Sequence, residues 1–416
     1  MLFLVLFLLG IYASAAGSQD FGFVCGFGLD REAGAKGQSR QSQQLRPANF
    51  SFYQSGTVRP LILFGKLNRP DDPFSLTQLK DRNGDETQSS ADLLNPNHVG
   101  SLAHYFKEMS YGALTLEDNG DGVERRWFAA NRTRPPDYGT NCVAAILAFA
   151  GEVFADADDT IDFSDYDRDG DGVVDLVILY IPLEFRNLQQ CGSHGRVIEN
   201  STLNYMTEDS VSIQDDLIVV YQRPSFPWLV GVTAHEYGHV MNLPELYDDD
   251  GDSAGIGLWG LMGHGPLGWS WKCENDWSSN FENDLYSGPT PLSVWSRYKV
   301  GWITEDNGRL VTVESDTDAA ATLHDINSQS SAVKAYKIPV RGSDTEYFLV
   351  ANRQNTHTEH SRGSYYDDSA PASGLAIWHI DDGLPFSGSN LRNDRRNDNE
   401  NHKRVDLECA DGLFSD

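Results

Sequence analysis

The sequence predicts an α+β protein: a mixed sheet with one helix bearing His235, Glu236 and His239, followed by a mainly β C-terminal unit. Three observations predict it. The segment "SFPWLVGVTAHEYGHVMN" is a long apolar stretch of helical character that stops at Asn242 and Pro244. Upstream, compact apolar runs such as "LILFGKL" and "LVILYI" are separated by helical patterns, as expected for strands of a buried sheet. Beyond about residue 304 the character changes to β-rich segments separated by polar turns.

In chain order, the apolar run from Leu2 to about Tyr12, followed by Ala13, Ser14 and Ala15, has the form of a signal peptide over residues 1–16. It is too short to span a membrane convincingly. Residues 17–56 are rich in Gly, Ser and Gln and read as a short N-terminal or pro-segment. A strand is expected over Arg59–Leu67. Leu102, Tyr105, Phe106 and Met109 then stand at helical spacing before Gly112, and "ALTLE" reads as a strand. "NCVAAILAFAGEVFADAD" reads as a helix and Val173–Ile181 as the most apolar strand. After the histidine-bearing helix, Leu292–Ile303 reads as a closing amphipathic helix. "GRLVTVES", "AVKAYKIPV", "EYFLVANRQ" and "GLAIWHID" read as strands. The expected units are 57–304, built around the histidine-bearing helix, and 305–416, mainly β.

Charge narrows the function. The 416 residues hold 61 acidic and 32 basic side chains, a formal charge of -29. Such a chain repels nucleic acid and has no polybasic patch for a membrane surface, so neither nucleic acid nor stable membrane association is expected. Protein or peptide substrates remain open, and oligomeric state is not readable. The five cysteines, Cys25, Cys142, Cys191, Cys273 and Cys409, are scattered rather than set at metal-binding spacing. In a secreted, extracellular chain they imply one or two disulfides.

The chemistry concentrates in "HEYGHVMNLPELYD". His235 and His239 are four residues apart and project from one face of a helix, close enough to share a Zn2+ ion. Glu236, beside the first ligand, is placed as general base toward a zinc-activated water. Asn242 suits the left-handed turn that ends the helix, and Pro244 forbids its continuation. That turn brings Glu245 back toward the ion as first choice for the third ligand, with Asp248 its rival and Asp249 or Asp250 open. Two imidazoles and a carboxylate leave a fourth position for water, the catalytic form of a zinc site. Met262, in a glycine-rich turn, reads as an apolar floor beneath the ligands. His194 and His264 read as solvated loop histidines.

A second metal-like pattern is "DYDRDGDGVVD". Asp167, Asp169 and Asp171, with the Val173 carbonyl and Asp175, are placed to wrap a structural Ca2+ ion. The position twelve residues into such a loop is Ile178 rather than glutamate, so this is not a regular helix-loop-helix site. Alternative functions are a catalytically inactive scaffold used for binding, or a calcium-stabilised extracellular binding module.

Several passages, in order over about residues 57–412, together resemble the immune inhibitor A family of secreted zinc metallopeptidases: "SLAHYFKEMSYGALTLE", "IDFSDYDRDGDGVVDLVILY", "HEYGHVMNLPELYD", "LWGLMG", "LSVWSRYKVGWI", "EYFLVANRQ" and "GLAIWHID". The resemblance implies a metzincin-like zincin catalytic domain and a zinc endopeptidase. By it His235 and His239 bind zinc, Glu236 is the base, Glu245 takes the third-ligand place, and Met262 the methionine turn under the zinc. The chain has Asn242 where glycine is usual and Glu245 where the family more often has aspartate. Relatives commonly continue past "NHKRVDLECADG", so a compact or truncated C-terminal unit is expected.

Overall fold

The computed structural model describes residues 50–120, 125–137, 141–187, 194–198, 205–214, 216–248, 253–269, 286–314, 322–355, 365–368, 370–388 and 391–408. The expected signal peptide, almost all of the N-terminal segment, Asp249, Asp250 and every cysteine except Cys142 lie outside the described residues. Cys142 is disulfide-bonded.

The chain begins with α1 (Phe50–Gln54), β1 (Gly56–Val58), β2 (Leu61–Lys66), α2 (Leu102–Met109), β3 (Leu114–Leu116), β4 (Trp127–Ala129), α3 (Cys142–Asp158) and β5 (Val177–Ile181). Then come β6 (Gly195–Ile198), β7 (Tyr205–Met206), β8 (Ser212–Ile213), β9 (Leu217–Tyr221) and α4 (Phe226–Val240). The remainder holds α5 (Val294–Lys299), β10 (Leu310–Thr312), β11 (Ala335–Pro339), β12 (Glu346–Arg353), β13 (Gly374–Asp381) and β14 (Val405–Leu407).

The main sheet has the order β4-β2-β5-β9-β6. Its first four strands are parallel, and β6 runs antiparallel along one edge. The central strands are buried on both faces, which is why they read as unbroken apolar runs. Their period of two divides the interior. Leu61, Leu63 and Leu179 pack with Ile146, Phe149 and Val153 of α3. Ile62, Phe64, Ile178 and Tyr180 face the core that holds Phe106 of α2 with Trp228 and Tyr237 of α4. A hydrogen bond of 2.8 Å between the Tyr180 and Thr233 hydroxyls fastens α4 to the sheet.

Some expected boundaries move. The strand expected over Val173–Ile181 starts at Val177, because the preceding backbone is used elsewhere: Val174 N donates to Ser212 O at 2.9 Å and Asp175 N to Tyr166 O at 2.8 Å. The helix expected over Leu292–Ile303 is Val294–Lys299. Gly301, at φ +80°, ends it, with Trp302 N donating back to Arg297 O at 2.9 Å. Strands β6 and β9 were not expected from the sequence.

The C-terminal strands form a second sheet, β10-β11-β12-β13-β14, antiparallel except for the first pair. Its apolar face is continuous with the core around α4: Leu349, Trp378, Ile380 and Val405 share one cluster with Trp228 and Met262. Polar links reinforce the join. Arg353 Nη1 donates to Trp259 O at 2.6 Å, and buried Arg297 donates to Ile326 O at 3.0 Å. Among the described residues no helix is long and apolar enough to cross a membrane.

Candidate metal centre and cleft

Helix α4 ends as its sequence dictates. Asn242 takes φ +70°, its N–H donates to His239 O at 2.9 Å, and Leu243 N donates to Gly238 O at 3.0 Å. This is the paired closing pattern of a left-handed helix end. The chain then doubles back beneath the methionine turn, where Leu246 N donates to Met262 O at 2.8 Å.

The doubling back brings three predicted residues together. One ligand atom from each of His235, His239 and Glu245 lies within 4.8 Å of the others. Glu245 Oε2 is 3.1 Å from His235 Nε2, and Glu245 Oε1 is 3.1 Å from His239 Nε2. The opposite ring nitrogens are fixed by backbone: His235 Nδ1 donates to Leu261 O and His239 Nδ1 to Leu243 O, each at 2.9 Å. Both Nε2 atoms therefore face the shared point, the orientation that outer hydrogen bonds give to metal-binding histidines.

The site fits a divalent cation on its own terms. Glu245 Oε2 is buried and, although 3.1 Å from His235 Nε2, is left without a satisfying hydrogen bond among the described residues. Burial opposes a charged Glu245, but His239 and His235 outweigh it and hold the carboxyl well below its ordinary range. Burial likewise opposes an imidazolium at His235, yet Glu245 and Glu236 push its pKa up to about 9. Two imidazole nitrogens and an ionised carboxylate around one point are the donor set that zinc takes.

Glu236 stands beside this group, only 6% exposed, and lines the cleft. Burial raises its pKa, and His235 and His239 act in the opposite sense. The floor is Met262, which is fully buried and packs against Gly238. The rival ligand Asp248 is turned away, its Oδ2 accepting the Ser253 N–H at 2.5 Å.

His264 corrects its sequence reading. It is 2% exposed rather than solvated, and burial lowers its pKa to about 4. Its ring stacks on Tyr247, which stacks in turn on His235, at centroid distances of 5.8 and 6.3 Å. His194 is also buried, packed against Trp228 with ring centroids 5.0 Å apart.

Sequence reasoning missed several cleft residues. Gly195 and Arg196 of β6 line it, as do Arg392, Asn393 and Arg395 from the C-terminal unit. Strand β6 is an edge. Tyr221 N donates to His194 O at 3.0 Å, so the alternation of an antiparallel pair turns the backbone groups of Gly195 and Val197 outward.

Away from the cleft, Asp167, Asp169 and Asp175 form a second cluster compatible with metal binding, their ligand atoms within 4.8 Å of one another. Burial, with a smaller contribution from Asp169 and Asp167, raises the Asp175 pKa to about 6. Asp171 does not join the group. Its Oδ1 accepts the Val173 N–H at 3.0 Å, and Val173 pairs with Ser212.

Comparison with curated proteins gives no match. Residues 196–286, which span most of β6, β9, α4, the metal-binding turn and the methionine turn, match the family model described as immune inhibitor A peptidase M6, catalytic domain.

Proposed function

We propose, from a region that matches the catalytic domain of immune inhibitor A peptidases, that this chain is a secreted zinc-dependent endopeptidase. The carrying observation is the convergence of His235, His239 and Glu245 beside Glu236. In this reading His235 Nε2, His239 Nε2 and the Glu245 carboxylate hold the zinc. When bound, zinc supplies Lewis acidity that polarises a carbonyl and makes water a stronger acid. The Glu236 carboxylate takes the proton of the attacking water and passes it to the leaving amine nitrogen. The outward backbone groups of Gly195 and Val197 suit an extended peptide that adds to the β6 edge as a further strand. Asp167, Asp169 and Asp175 hold a structural Ca2+ that offsets their repulsion and fixes the approach to β5. The matched family is secreted, which supports an extracellular site of action. The proposed units remain 57–304 and 305–416, joined through their common core.

The test is metal analysis with casein cleavage on the wild-type chain and Glu236→Gln. One zinc per chain is expected in both, with cleavage reduced at least about a hundredfold in the variant. Equal cleavage by both proteins, or zinc-loaded wild type that cleaves nothing, would overturn the assignment.

A further inference from the structure

A second hollow opens at the carboxyl ends of the central strands of the main sheet. The first residue after β2 is Leu67, after β5 Pro182 and after β9 Gln222, and all three line it. These strands are neighbours and run parallel. Crevices outside the carboxyl ends of parallel strands are where such sheets hold ligands. The hollow, of about 840 Å³, exceeds the cleft at the metal centre, of about 380 Å³.

Its walls are apolar and stiff. Pro73, Phe74 and Pro224 join Leu67 and Pro182 there, and Leu183 at the rim is one of four large apolar side chains exposed among the described residues. The prolines fix the loop backbone before anything binds. Charge is balanced: Arg69 pairs with Glu184 at 2.5 Å, and Asp71 and Lys80 add one charge of each sign. One polar group is left over. Gln222 is 5% exposed and its backbone N–H donates to Ile181 O at 2.9 Å, yet its side-chain Oε1 has no hydrogen-bond partner among the described residues. A buried acceptor left in this way costs free energy that a donor from a ligand would recover, and the terminal amide torsion is soft enough to turn toward one.

An aromatic wall joins the hollow to the cleft. His194, which lines the cleft, packs on Trp228 with ring centroids 5.0 Å apart, and Trp228 packs at 5.1 Å on Tyr286, which lines the hollow. Gly195 pairs with Val220, two residues before Gln222. A chain laid along the β6 edge and running past Gly195 therefore leaves in the direction of the hollow.

We propose that this hollow is a second binding site for the substrate polypeptide, taking an uncharged, apolar segment that runs past the Gly195 end of β6 and gives an N–H to Gln222 Oε1. This rests on the peptidase reading.

The test uses fluorescent peptides that share one central core and are extended at either end by an apolar segment, Leu and Phe alternating with Asn, or by a polar one, Ser alternating with Asn. Binding is measured by anisotropy on the full Glu236→Gln chain, with each further variant made in that background, and cleavage by wild type in parallel. At one end only, the apolar extension is expected to bind about tenfold more tightly than the polar one, a modest share of what several buried side chains supply. Leu183→Asp, which sets a charge at the rim, should abolish that gain and leave the core peptide bound as before. Gln222→Met keeps the length of the side chain but removes the acceptor, so it should lower the gain about fivefold without destabilising the fold. Leu375→Asp, the same change at an exposed site on β13, should leave the gain intact. No preference for the apolar extension at either end, or a preference that survives both Leu183→Asp and Gln222→Met, overturns the inference. Cleavage of the core with no gain from extension sinks this inference alone, whereas a gain that depends on Leu183 without cleavage by wild type sinks only the peptidase reading.

Discussion

Met262 lies so close to Gly238 that a Cβ added at position 238 would stand 2.4 Å from its sulfur. The last turn of α4 thus rests directly on the methionine turn. Gly238→Ala should gain about 1 kcal/mol in helix propensity and lose about 1–3 kcal/mol by overpacking. Net destabilisation and weaker zinc binding are expected. Denaturant midpoints and chelator competition measure the two effects, and a stabilised variant with unchanged zinc affinity would refute the floor role.

Gly195 plays the corresponding part for Glu236. A Cβ there would lie 2.9 Å from Glu236 Oε1 and 2.9 Å from the Val219 backbone oxygen, which has little room to move. Gly195→Ala should displace the carboxylate and lower kcat by about a hundredfold. Zinc stoichiometry should stay at wild type, and activity within twofold of wild type would exclude the contact as a constraint on the base.

The residue after the third candidate ligand is tied to the far end of the chain, since Asn397 Nδ2 donates to Leu246 O. Asn397→Ala removes one of two hydrogen bonds to that carbonyl, which keeps the Ile256 N–H at 2.9 Å, and strands the Val405 backbone, at a cost of about 1–3 kcal/mol. Zinc should bind more weakly than in wild type at the same temperature. Destabilisation with zinc affinity fully preserved would show that the turn holds its shape alone.

His104 gives the fold an acid sensitivity separate from the metal centre. Its Nδ1 receives the Tyr366 hydroxyl at 2.8 Å, and burial, with Lys107 nearby, lowers its pKa from 6.5 to about 4. The neutral ring is favoured in the folded state, so its contribution is complete above pH 6.5 and is lost as pH falls toward 4. Allowing for partial exposure, that is about 2 kcal/mol. Urea unfolding at pH 7 and 4.5 should show wild type losing more stability than His104→Gln, and equal losses would remove His104 as the cause.

For the acidic cluster, Ca2+ added to chelator-treated protein should raise Tm, by a stabilisation of about 2.7 kcal/mol at a hundredfold excess over Kd. Asp169→Asn should shrink the rise. A Tm indifferent to Ca2+ would leave Asp167, Asp169 and Asp175 as a solvated acidic turn.

The helix and its turn were legible because their signals are local: helical spacing, Asn242 for the left-handed position, Pro244 to stop the helix, and Glu245 in reach. The cleft walls were not. Strand β6 spans four residues and gains its role only by pairing with β9. "LIVVY" did carry a strand signal as a buried apolar run. Arg392 and Asp394 invert the usual expectation that charged loop residues face solvent, through partners remote in sequence. His264 was misjudged because glycines were read as slack. Gly263 and Gly265 instead let backbone pack tightly, since added Cβ atoms would meet Gly257 O at 2.4 Å and Thr290 Oγ1 at 2.0 Å.

The ties from Arg392 to Asn242 and from Asn397 to Leu246 each join positions about 150 residues apart. During synthesis, the turn that carries Glu245 leaves the ribosome long before the segment that braces it. At about 5–20 residues per second the interval is on the order of ten seconds. Through that interval the growing chain lacks the brace on the turn that carries Glu245, so the three candidate ligands reach their final arrangement only after the C-terminal strands have been made.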